Sequence, residues 1–163
     1  MLGKLLAMAQ RISTHPFQRR ALAGVVLAFT LAAGVMPTTT FAPQGPMKIH
    51  LHIDGAIATA TLDNNAAARD FVAQLPLSLT LQNYAEIERI ATLPRKLSVD
   101  GAPAGITPKT GDINYYAPWG NLAIYLNGTV ADRGLVRLGK LDSGLAALQR
   151  PGPLKVRIER ITD

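Results

Sequence analysis

The sequence predicts a mainly β fold: a closed antiparallel β-barrel with one or two short helices, preceded by an N-terminal signal segment. Three observations point there. Short runs of alternating apolar and polar residues recur from Met47 onward, Gly and Pro turns separate them, and the composition changes sharply near Pro46. Many short strands at close spacing favour closure, because a closed barrel leaves no unpaired edge.

The first part of the chain reads as an address rather than a fold element. Its basic residues are Lys4, Arg11, Arg19 and Arg20, and no acid precedes Asp54. Ala21 to Met36 then runs sixteen residues without a charge, the length of a signal h-region. A stable membrane span usually needs about 20 residues. Small and polar residues follow from Pro37 to Ala42. The expectation is an export signal or an uncleaved anchor, with its linker, over residues 1–46 and a barrel domain over residues 47–163, in the periplasm or secreted. Gln18-Arg19-Arg20-Ala21-Leu22 partly resembles a twin-arginine signal, which implies export of an already folded domain. A cut after Thr40-Phe41-Ala42 meets Pro43, and Ala32-Ala33-Gly34 is the alternative upstream.

In the domain itself, Ile49, Leu51 and Ile53 alternate with Lys48, His50 and His52, the period of a half-buried strand over Met47 to Ile53. Asp54-Gly55 supplies a tight hairpin turn, and Ala56 to Leu62 pairs back as the second strand. Asp63-Asn64-Asn65 offers side-chain oxygens to the free N–H groups of a helix that starts at Ala66, presents Ala68, Phe71 and Val72 on one face, and stops at Pro76. Leu77, Leu79 and Leu81 then alternate with Ser78, Thr80 and Gln82 as a further strand. Short strands are predicted at Ile87–Ala91, Lys96–Val99, Asp112–Tyr116, Leu122–Leu126, Leu135–Leu138 and Leu154–Ile161, with Ser143 capping a short helix through Leu148.

Charge and composition exclude several function classes. Four of the seventeen basic residues lie in the leader, so thirteen face eleven acids in the domain, a net charge of +2. The basic balance of the whole chain is thus partly a leader effect, and no clustered basic face argues for nucleic acid. The absence of cysteine rules out disulfides and thiolate chemistry. His50 and His52 lie two apart on one strand face, but no third ligand accompanies them and His15 belongs to the leader, so no metal site is assigned. Ser78, Ser98 and Ser143 lie in no nucleophile elbow. Glu86 and Glu88 share a strand face beside Arg89 and read as surface charge. Arg69 and Asp70 on the first helix read likewise. No glycine run has phosphate-loop spacing, and nothing calls for a cofactor.

One corner stands apart. Tyr115-Tyr116-Ala117-Pro118-Trp119-Gly120-Asn121 sets two tyrosines and the only Trp beside a turn, where amphipathic rings make a shallow recognition surface. The competing expectation is structural: one tyrosine packs into the barrel, Pro118 and Gly120 shape the turn, and Trp119 plugs the barrel end. Asn121 is suited to bond either the loop backbone or a ligand amide. In Leu93-Pro94-Arg95-Lys96-Leu97, Arg95 offers a planar fork of donors, and the alternative is a solvated strand-end charge.

Together these segments, with Gly111-Asp112-Ile113 and Gly101-Ala102-Pro103-Ala104-Gly105, resemble the signature of small bacterial and archaeal cyclophilin-like proteins. The resemblance spans essentially Met47 to Ile161 and implies a compact β-barrel with helices over its open ends. Classical isomerases of that fold carry Phe-His-Arg, Gln-Gly-Gly-Asp and Ser-Gln-Phe-Phe segments, none of which occurs here. No arginine therefore matches the catalytic one. The expectation is a module binding a peptide or small molecule through Arg95, Tyr116, Trp119 and Asn121. The alternative is a peptidyl-prolyl isomerase with a non-standard active site. Membrane contact is expected only with an uncleaved leader.

Overall fold

Eight antiparallel strands close on themselves in the order β1-β2-β7-β5-β6-β4-β3-β8, with β8 paired back to β1. The strands are β1 (Met47–Ile53), β2 (Ala56–Leu62), β3 (Leu77–Tyr84), β4 (Glu88–Thr92), β5 (Asp112–Tyr116), β6 (Asn121–Tyr125), β7 (Leu135–Ser143) and β8 (Leu154–Arg160). Two helices, α1 (Ala66–Val72) and α2 (Leu145–Leu148), complete the elements. This computed structural model describes residues 45–162. The export-signal and linker reading over residues 1–46 falls, through residue 44, outside the described residues. Among them, no helix is long and apolar enough to cross a membrane.

The alternation seen in sequence fills the barrel. Ile49, Leu51 and Ile53 of β1, Ala58 and Ala60 of β2, Ile113 and Tyr115 of β5, Leu122 and Ile124 of β6, and Ile158 of β8 are all buried in one apolar core. An eight-stranded barrel is just wide enough for side chains to occupy its interior. The hairpin at Asp54-Gly55 joins β1 to β2 in register from Met47↔Leu62 to Ile53↔Ala56.

The helices sit at opposite ends. α1 follows β2 at the end marked by Met47 and Leu62, and α2 precedes β8 at the end marked by Ile53. Asn65 caps α1 as its sequence suggests, accepting from Ala68 N at 2.8 Å and donating to Arg137 O at 2.8 Å. Ala67, Ala68 and Phe71 are the buried face.

Two expectations about the elements are corrected. Lys96–Val99 is not a strand: its N–H groups go to side chains, Leu97 N to Tyr115 Oη at 3.3 Å and Ser98 N to Asp70 Oδ2 at 2.8 Å. The segment lies over the α1 end of the barrel with no strand beside it, and Asp70, exposed as expected, also ties it to α1. Ser143 does not cap α2 either. It ends β7, its Oγ 2.8 Å from Thr59 Oγ1, and Gly144 takes the cap position with φ of 82°. A Cβ on Gly144 would lie 2.5 Å from Ala58 Cα, so the close approach of α2 to β2 needs glycine there.

Alternation along β4 turns Arg89 inward beside Ile124, and it is only 2% exposed. Its Nε donates to Leu148 O and its Nη1 to Gly152 O, each at 2.8 Å, while Nη2 donates to Arg150 O. A buried cation thus collects the carbonyls left free after α2.

Candidate functional site

Strand register decides which side chains meet on the outer wall. Tyr84 pairs with Glu88 and Glu88 with Tyr125, while Thr92 pairs with Asn121, Asn121 with Tyr116 and Tyr116 with Leu135. Tyr115, Leu122 and Ile124 point the other way, into the barrel core. Ala123, Tyr125 and Leu135 form a second apolar cluster on the outer side, with Ile87, Ile90, Ile106 and Tyr116 packed against it. A recess of about 180 Å³ lies over this cluster.

The turn between β5 and β6 shapes one rim. Gly120 N donates to Tyr116 O at 2.9 Å, and Leu93 N to Gly120 O at 3.0 Å, which fixes the turn against the segment after β4. Tyr116 packs closely against Gly134, where a Cβ would come within 2.5 Å of its ring carbon Cε2. Trp119 stands edge-to-face against Tyr116, with centroids 5.3 Å apart at 90°, and against Tyr84, 6.1 Å apart at 79°. The indole remains 57% exposed, so it does not plug the barrel end. The structural expectation is met instead by Tyr115, buried inside with its hydroxyl under Leu97 N. Asn121 is nearly buried at the base, its Oδ1 accepting from Thr92 Oγ1 at 3.0 Å.

Two acidic groups also line the recess. Asp132 is tied down through its backbone, which exchanges hydrogen bonds with Ile106, and through Oδ1, which accepts from Gly134 N at 2.6 Å. Glu88 is half-buried, not the surface charge expected from its neighbours, and its Oε2 is buried with no hydrogen-bond partner among the described residues. Burial raises the Glu88 carboxyl above the usual carboxylate range, the neighbouring Tyr125 hydroxyl pulls it partly back, and the Asp132 charge adds to the rise. Burial and the Glu88 contact in turn push the Tyr125 phenol well above its ordinary value.

This arrangement makes a pH prediction. Because the folded protein holds a proton on Glu88 to higher pH than the unfolded chain does, this group's contribution to stability falls as pH rises from the ordinary carboxylate range through the raised value. Urea midpoints compared between the protein and Glu88→Gln across pH 4 to 8 should converge at acid pH and separate above it, the variant being the more stable. Parallel curves would contradict the raised carboxyl.

Of the four residues singled out in sequence, Tyr116, Trp119 and Asn121 come together in this recess. Arg95 does not join them. Its backbone N accepts no role there but donates to Gln74 Oε1 at 3.2 Å, and its Nη2 donates to Ala73 O at 3.3 Å, so it closes the C-terminal end of α1. Sequence reasoning missed Tyr84, Glu88, Tyr125 and Asp132. The parity of β6 could have found Tyr125, which alternates with Ile124 and shares its face with Asn121 and Ala123. On the barrel wall opposite, His52 Nε2 lies 2.9 Å from Glu159 Oε1, and His50 meets the His52 ring edge-on. No group of three potential metal ligands occurs among the described residues.

A filled eight-stranded antiparallel barrel, helices at both ends and a recess on the outer wall define a domain of cyclophilin-like architecture. The model of the cyclophilin-like family matches residues 51–159, and the chain belongs to that family. The solution structure of the hypothetical protein AF2241 from Archaeoglobus fulgidus is similar over 74% of this chain and 99% of its own, with a TM-score of 0.55. At 14% identity that likeness is one of fold. No curated protein matches the chain.

Proposed function

We propose that this protein is an exported binding module whose outer-wall recess takes a peptide side chain or a small molecule. The observation that carries the reading is Trp119: a large ring more than half exposed, yet braced by Tyr116 and Tyr84 over a recess with polar groups at its base. Solvent-facing aromatics held rigid by neighbours give contact area at little entropic cost on binding. The interior offers no such place, since side chains occupy it. Export is supported by the basic, apolar, then small and polar order of residues 1–42.

An isomerase at this recess would need a cation aimed at the prolyl amide, and among the described residues no arginine or lysine lines it. The test is a titration of the protein with short proline-containing and unrelated peptides, reading Trp119 emission together with cis/trans exchange of the peptide by NMR. Saturable emission change without faster exchange supports the module. Accelerated exchange would replace it by an isomerase, and silence across the panel would remove peptides as the ligand class.

A further inference from the structure

We infer that the recess selects an organic cation, an ammonium or guanidinium group on a short apolar stem. This rests on the binding reading above and names its ligand chemistry. Trp119 stands between Tyr84 and Tyr116, close to perpendicular to each, and all three rings line the recess. Ring faces carry the negative lobe of the quadrupole and attract cations, most strongly at Trp. Glu88, the cross-strand partner of Tyr84, and Asp132 line the same recess, and among the described residues they are the only charged ones that do.

The acids explain why the recess is not a general apolar slot. Glu88 Oε2 is buried without a hydrogen-bond partner among the described residues, and such an acceptor is costly until a donor reaches it. An ammonium entering between the rings and the carboxylates supplies that donor. It also relieves the repulsion between Glu88 and Asp132 that helps hold the Glu88 proton. The volume, about 180 Å³, fits a head group and its stem and falls short of the 300 Å³ or more typical of drug-sized ligands.

Trp119, the only tryptophan of the chain, reports occupancy by its emission. Three probes separate the outcomes: choline, its neutral isostere 3,3-dimethylbutan-1-ol, and N-acetyl-lysine methylamide. The cations are expected to bind roughly tenfold or more tighter than the alcohol, a difference in the range of a cation–π contact with a carboxylate behind it. Glu88→Gln combined with Asp132→Asn should remove most of that preference. A preference for the blocked lysine over choline assigns the cation to a peptide side chain, and the reverse assigns it to a free small amine. Equal binding of choline and the alcohol overturns the cation inference while the binding module stands. Absence of response to either cation overturns it too, and the peptide titration then decides the module separately.

Discussion

Replacing Arg89 by methionine should destabilise the domain by about 3 kcal/mol, because three carbonyls lose their donor at once and each buried unsatisfied acceptor costs about 1 kcal/mol or more. The expected signature is a drop of roughly 10 °C in Tm, with the urea midpoint lowered and the slope unchanged. Methionine keeps the length and apolar bulk of the stem, so the loss reports the hydrogen bonds rather than a cavity. Leu148, Arg150 and Gly152 supply those carbonyls, which places the damage at α2 and the start of β8. Arg150 extends the same tie, donating to Ile53 O at 3.0 Å and Ala147 O at 3.1 Å. Arg89→Lys should recover part of the loss, since an ammonium reaches fewer carbonyls than a guanidinium fork. A near-neutral Arg89→Met would mean that the α2 end is held by apolar packing alone.

Arg89 also shows where a sequence stops being legible. The alternation of Met47 to Ile53, the Asp54-Gly55 turn and the Asn65 cap each announce themselves within a few residues, because the forces that set them act locally. Along β4 the usual sense is inverted: Arg89 points inward and Ile90 outward, and nothing within the strand reveals it. The cause lies some 60 residues away, in the carbonyls after α2 that need a donor inside the barrel. Lys96–Val99 was misread for a related reason, since its donors are taken by Asp70 and Tyr115, side chains from elements on either side. The site was half legible. Tyr116, Trp119 and Asn121 lie within one turn, whereas Tyr84, Glu88 and Asp132 reach them only through the pairing of β3, β4 and β6 and the tie of Asp132 to Ile106.

Phe71→Ala should cost about 3–5 kcal/mol, the range for emptying a buried aromatic position, and yet leave ligand binding by the folded protein unchanged. Phe71 is fully buried on the inner face of α1 and belongs to the interior core. The recess is built on the other side of the wall, from Tyr125, Ala123 and Leu135, with Tyr116 and Trp119 over them. A ligand held inside the barrel would respond to the cavity that alanine leaves, by tighter or altered binding. A ligand on the outer wall would not. Where Phe71→Ala unfolds too readily to titrate, Phe71→Leu should lose only about 1 kcal/mol and allow the same comparison. Unchanged Trp119 emission and unchanged choline affinity in the folded variant, beside a clearly lowered urea midpoint, place recognition on the outside of the barrel. A shift in affinity that tracks the interior cavity would move the site indoors and leave the braced indole without a role.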